Sequence, residues 1–353
     1  MNITFMIGNG FDVGVGMQSK FKDFFPVYKA KSLNKEDRIK KLSEEIEEDY
    51  ETWADFEVAL GKYTLKFTKE TKKDFLDQLK DFEIEFIEYL KLQEQRLAFK
   101  PENIISNHMT DALRGYYDEG KLAVESRNMM TSLYSGHASE EHRYNFISFN
   151  YTETLEKCLQ TIPQGVVSKR KHNGTERIDK IGKIIHVHGK KDLHPIIGVN
   201  DVSQIQNKEL AEDERFARYV VKPSLNKYLR LANDSATTDI INQSKIICIY
   251  GMSLGATDKK WWSYILSWLN NGSDRQLVIF DYDKTYNQSN QFGWLEKEDT
   301  FIDKLSLYGN GINVEKLRPR IHIAVHKNIF EMDLAKEHDE MMDEVINKLL
   351  IPT

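Results

Sequence analysis

Apolar residues follow two different spacings along this chain. The first residues, NITFMIG, form a short apolar run that predicts a strand over residues 2–8, with a loop around Gly14 and Gly16 after it. Ser19 stands where it would cap a helix carrying Phe21, Phe24, Phe25 and Tyr28 on one face. From Asn34 to Arg143 the pattern becomes helical, charged and poor in Pro and Gly. Trp53, Phe56, Val58 and Leu60 fall within one predicted helix. A longer helix, from Lys73 to Leu97, is striped by Leu76, Leu79, Phe82, Phe86, Tyr89 and Leu90. These aromatics read as core. No repeat with a period of 20–50 residues is visible.

From Tyr144 the pattern changes again. NFISF, KIIHVHG, PIIGVND, KIICIYG, QLVIFDYD and RIHIAV are short β-branched runs, as expected of strands buried on both faces of a parallel sheet. After IYGMSLG, Thr257 or Asp258 is placed to cap a helix. Trp261, Tyr264, Ile265, Trp268 and Leu269 would line its buried face, and Asn271-Gly272 would stop it. The alternation predicts an α/β fold: a doubly wound, mostly parallel, Rossmann-like sheet with a large helical insertion. Residues 1–33 would hold the first strand and a glycine loop, 34–143 the insertion, 144–330 the remainder of the sheet domain, and 331–353 a C-terminal helix.

Composition narrows the function classes. The chain has 353 residues, 40% of them hydrophobic, enough for a large core. A formal net charge of −6 argues against a protein built to grip nucleic acid. The one basic stretch, SKRKHNG (Ser168 to Gly174), reads as a solvated loop tip. Cys158 and Cys248 are the only cysteines and form no CxxC pair, so neither a disulfide framework nor zinc is expected. No signal peptide and no run of membrane-spanning length is present. A cytoplasmic protein is expected.

Five segments carry candidate chemistry. Gly8-Asn9-Gly10-Phe11-Asp12 follows a strand, where glycine lets backbone approach a phosphate. It fails G-x-G-x-x-G at the third glycine, which is Val13, and this disfavours an ordinary hydride-transferring enzyme. A tight turn accounts for the segment equally well. Asn150 would end a strand at the sheet edge where ligands bind, and its amide can both donate and accept; a turn-closing asparagine is the plainer alternative. In His186-Val187-His188-Gly189 both histidines fall on one strand face, with His188 last. A neutral imidazole there could accept a proton, or simply be buried and hydrogen-bonded; no third metal ligand stands nearby. Gly251, Ser253 and Leu254 lie before a helix N-terminus. Asp281, in FDYD, ends another strand, where it could hold a ribose or close a solvated turn.

Taken in order, GNGFD, W-x-D-F-E (Trp53 to Glu57), FNYT-x-T-L-E, HVHG and IYGMSLGATD-x-x-W resemble the AbiH family of bacterial abortive-infection proteins, over most of the chain. That family is similar in turn to sirtuin-like NAD-binding domains. The resemblance implies that Asn150 and His188 are catalytic. It also implies that Gly8, Asn9, Gly10, Phe11, Asp12, Gly251, Ser253, Leu254 and Asp281 bind the nucleotide. Thr152 stands where sirtuins carry an aspartate, Met252 replaces a threonine, and the four-cysteine zinc module is missing. Hydrolysis of NAD is therefore expected over deacylation, with NAD as substrate, no metal, and control by homo-oligomerisation or by a phage-derived trigger or partner. A binding module that senses an NAD-like or ADP-ribose-like nucleotide without turnover is the alternative. A nuclease, which would need clustered acidic metal ligands, has only Asp281 and Asp283 in its favour. Hydrolysis and cyclisation of NAD are not distinguished at this level.

Overall fold

The computed structural model describes residues 1–283, 291–325 and 328–335. Its strands are β1 (Asn2–Ile7), β2 (Arg143–Ser148), β3 (Val166–His172), β4 (Thr175–His186), β5 (Ile246–Tyr250), β6 (Gln276–Asp281) and β7 (Ile321–Val325). They form one sheet in the order β3-β4-β2-β1-β5-β6-β7. Every pairing is parallel except β3 with β4. The fold is therefore a mixed α/β one with a mostly parallel sheet. β1 lies in its middle, and the strand order reverses there: β2 and β4 build outward on one side, β5, β6 and β7 on the other.

The chain divides into two compact units. The first comprises Met1–Val15, Phe99–Val187 and Ser235–Asp333, and contains the sheet. β1, β2, β5, β6 and β7 are buried almost end to end because both faces of the sheet are covered there. Phe5 of β1 packs between Tyr116, Phe146 and Phe330, with ring centroids 5.6–5.7 Å apart. On the alternate positions Met6, Ile147, Ile247 and Ile249 join a core with Trp262, Ile265, Leu266 and Leu269. Those last four come from the helix Lys259–Asn270, which begins after Asp258 and stops at Asn271, as its pattern predicts. Its buried face is shifted from the expected one: Trp262 is fully buried while Tyr264 is exposed. Burying each of these large side chains contributes roughly 1.5–3 kcal/mol.

Two strand expectations need correction. SKRKHNG is not a loop tip; it forms most of β3 and turns into β4 at Asn173-Gly174, with φ of 48° and 78°. Positive φ at both positions is what a two-residue hairpin turn needs, and Asn-Gly supplies it. The lysines and arginine that disguise β3 are suited to a sheet edge, where charge blocks unwanted pairing. PIIGVND, by contrast, is not a strand: only Val199 makes an isolated bridge, to Val221. Pro195 has no N–H to donate, and among the described residues no strand lies alongside the rest of the run.

The second unit comprises Gly16–Ala98, His188–Asp234 and the residues from Leu334 onward. The helix Lys72–Gln95 is the longest among its described residues. Around it an aromatic core forms, with Phe56 stacked on Phe82 at 4.3 Å and Phe24 edge-on to Phe82 and Phe86. The single helix expected through Trp53 and Leu60 is two, Tyr50–Trp53 and Phe56–Tyr63, because Asp55 caps the second by accepting from the Val58 amide. The helices of the 34–143 stretch are shared between the units, with the division after Ala98. The expected C-terminal helix falls mainly on residues 336–353, outside the described ones, and residues 331–335 are not helical. No helix among the described residues is long and apolar enough to cross a membrane.

Candidate functional site

β1, β2 and β5 end side by side, with Ile7 in register with Ser148 on one side and Tyr250 on the other. The segments that follow them are the GNGFD loop, Phe149 to Thr152 and the Gly251 loop. They emerge at the carboxyl edge of the sheet where the strand order reverses, the place open α/β sheets use for ligands.

The glycines are explained by the meeting of two loops. The Gly8 amide donates to the Tyr250 carbonyl and the Gly10 amide to the Gly251 carbonyl, both at 2.9 Å. A Cβ on Gly8 would lie 2.6 Å from the Gly251 oxygen, and one on Gly251 would lie 2.7 Å from the Gly10 Cα. Gly251 also has φ +67°, a conformation side chains disfavour. The close approach these glycines permit is thus between β1 and β5 loops, and both amides are engaged by backbone. Of the other residues in the loop, Phe11 is fully buried against Phe330, Asp12 is buried, and Asn9 is exposed.

Asn150 is held at three points. Its amide nitrogen donates to the Ser148 hydroxyl at 3.2 Å, its Nδ2 donates to the Gly8 carbonyl at 3.1 Å, and its own carbonyl faces His186 Nδ1 at 2.8 Å. Because the Gly8 oxygen can only accept, the side-chain amide has a defined orientation. Among the described residues, Oδ1 accepts no hydrogen bond. Nearby, Thr152 donates its hydroxyl to Asp12 Oδ2 at 2.7 Å, tying the β1 loop to the segment after β2. Burial and the negative Asp12 push the Cys158 thiol up to about 12, so it is an inert core residue.

His186, the last residue of β4, is buried between two acceptors. Nδ1 faces the Asn150 carbonyl and Nε2 faces Glu156 Oε1 at 2.5 Å, from the helix Thr154–Gln160. The strand alternation puts His186 on the same face as His188 but gives no role to Glu156. Nothing in NYTETLE marks that glutamate as the one turned inward.

The other expected residues fall as follows. Ser253 is exposed, and Leu254 is buried in the core beside Trp262. That loop is secured by Trp262 Nε1, which donates to the Gly255 carbonyl at 3.0 Å, and by the Tyr308 hydroxyl, which donates to the Leu254 carbonyl at 3.3 Å. Asp281 ends β6, and Lys297 bridges it to Asp283 at 3.1 and 2.8 Å. His188 belongs to the second unit, where it is buried and its carbonyl accepts from the Ile196 amide at 2.8 Å. The next residue, Gly189, has φ +73°. A groove of about 510 Å³ on the first unit lies between Lys259, Lys260 and Tyr264 on one wall and Leu307, Tyr308 and Asn310 on the other. It includes none of the residues expected to act. Among the described residues no group of three or more His, Cys, Asp and Glu side chains is arranged to hold a metal ion.

The family model described as bacteriophage abortive infection AbiH matches residues 4–305, from β1 through the helix Gln291–Ser306. The chain belongs to the AbiH family. The match takes in every candidate residue above, so the edge formed by Gly8, Asn150 and Gly251 is part of the AbiH region. No curated protein matches the chain. The membership carries a function in phage abortive infection.

Proposed function

We propose that this AbiH protein is a defence effector that hydrolyses cytoplasmic NAD to nicotinamide and ADP-ribose at a Rossmann-like, sirtuin-like site. The observation that carries the reading is Asn150: an amide locked at a sheet edge, with Oδ1 left as an acceptor. Such an atom can take a hydrogen bond from a ribose hydroxyl and from the attacking water. Departure of nicotinamide breaks the C1′–N bond, and the electron pair neutralises the ring's positive charge. The oxocarbenium-like centre is then met by water, whose oxygen bonds to C1′. The attacking water gives up its proton to a general base, the role that the resemblance gives His188. Thr152 occupies the position of the sirtuin aspartate, and Asp12, hydrogen-bonded to it, supplies a carboxylate there instead. The exposed Asn9 and Ser253 are the natural contacts for the pyrophosphate, and Asp281 for the adenosine ribose. NAD is the substrate, with no metal or further cofactor, and homo-oligomerisation or a phage-derived trigger governs activity.

The test is nicotinamide release from NAD by the purified chain, alone and with lysate of phage-infected cells. Release of many nicotinamides per chain, with ADP-ribose as the co-product, supports the hydrolase. Tight binding of NAD or ADP-ribose without release, under both conditions, would identify a nucleotide sensor instead.

A further inference from the structure

We infer that the buried pair His186–Glu156 is a positioning device for Asn150, acting through the Asn150 backbone carbonyl. The inference rests on the proposed role of Asn150 in NAD cleavage, but its geometric part stands without it. Three facts combine. The imidazole bridges the Asn150 carbonyl and Glu156 Oε1, at 2.8 and 2.5 Å. His186 and Glu156 are both buried, 6% and 8% exposed. And the third hold on Asn150, from its Nδ2 to Gly8, fixes the same residue from the β1 side.

The proton positions follow from the partners. A carbonyl oxygen only accepts, so Nδ1 carries hydrogen. Nε2 and Oε1 then share one proton, either as imidazolium with carboxylate or as neutral imidazole with carboxylic acid. Both forms leave the pair with no net charge, which suits its burial. Glu156 thereby selects the ring form that donates to Asn150: which nitrogen of a histidine is protonated is set by what the other one bonds. Without Glu156, the proton could move to Nε2 and leave two lone pairs facing each other across the Asn150 contact.

The experiment compares His186→Ala, Glu156→Ala and Glu156→Gln in the full chain, each checked for folding by thermal melting. The readouts are NAD cleavage kinetics and the Asn150 side-chain amide resonance in asparagine-labelled protein, assigned with Asn150→Asp. Displacing a positioned group lowers kcat by about 10- to 100-fold, so His186→Ala and Glu156→Ala are expected to do so with KM nearly unchanged, and to move the Asn150 resonance. In Glu156→Gln the new amide can donate to Nε2 while Nδ1 keeps its hydrogen, so kcat within about threefold of wild type and an unmoved resonance are expected. An unmoved Asn150 resonance in folded His186→Ala, or equal losses in Glu156→Gln and Glu156→Ala, overturns the inference. If wild type releases no nicotinamide, the hydrolase reading fails, and the resonance alone decides the positioning claim.

Discussion

The Thr152 hydroxyl donates to Asp12 Oδ2 across 2.7 Å, joining two segments 140 residues apart in sequence. Both side chains are buried, 2% exposed each. Removing one hydrogen-bond donor from a buried carboxylate costs about 1–3 kcal/mol. Thr152→Val is therefore expected to lower stability by that order in urea titration. If Asp12 also serves the substrate, Asp12→Asn keeps the fold and lowers NAD cleavage; unchanged kinetics in Asp12→Asn would remove Asp12 from the site.

The crossing of the β1 and β5 loops gives a second prediction. Gly251 combines φ +67° with a would-be Cβ only 2.7 Å from the Gly10 Cα. Gly251→Ala must shift backbone on both loops, at a cost of about 1–3 kcal/mol. Gly174 also has positive φ, at a turn with open space around it, and supplies the control. Gly174→Ala is expected to cost less than Gly251→Ala and to leave NAD binding intact. Equal effects of the two in thermal melting and binding would contradict the packing argument.

A third prediction concerns Glu83, whose carboxyl burial raises to about 7 from an ordinary 4.5. In the folded chain it holds a proton that the unfolded chain has released, so between about 4.5 and 7 folding binds a proton. The stability this lends is complete below the unfolded value and is lost as pH rises through about 7. Glu83→Gln, which keeps the neutral shape, is expected to raise the melting temperature by a few degrees at pH 8 and hardly at all at pH 4.5. Equal shifts at the two pH values would show that charge is not the cause.

His322 gives the opposite sign. Burial lowers it from 6.5 to about 4, and its Nε2 lies 2.8 Å from Gln276 Oε1. Here the unfolded chain takes up the proton first, so stability falls as pH drops from about 6.5 to about 4. The ring is expected to stay neutral at pH 5 in NMR titration of the folded protein. A midpoint near 6.5 would contradict the burial argument.

Much of this was legible in the sequence because continuous apolar runs can hardly be anything but buried strands. β1, β2, β5, β6 and β7 each lie on such a run. The stripe of Leu79, Phe82 and Tyr89 marks the stretch from Lys73 to Leu97 as a helix. β3 was not legible, since Lys169, Arg170 and Lys171 belong to an edge strand whose charge is what its position requires. The packing role of Gly8 and Gly251 is hidden for a different reason. A glycine that lets a ligand approach and one that lets another loop approach look the same along a chain. Glu156 was invisible as a partner for His186 because the pairing depends on how the helix Thr154–Gln160 lies against the end of β4. The division after Ala98 coincides with the break between the helices Lys72–Gln95 and Glu102–Arg114 at Pro101, and a break between two helices of one unit would look the same in sequence.

Everything proposed for the reaction passes through the Asn150 side chain. The most direct measurement is the initial rate of nicotinamide formation from NAD by folded wild-type protein and folded Asn150→Ala, under whatever condition activates the wild type. The account predicts turnover by wild type and a loss of at least about 100-fold in Asn150→Ala with the fold retained. Turnover by Asn150→Ala at the wild-type rate would contradict it.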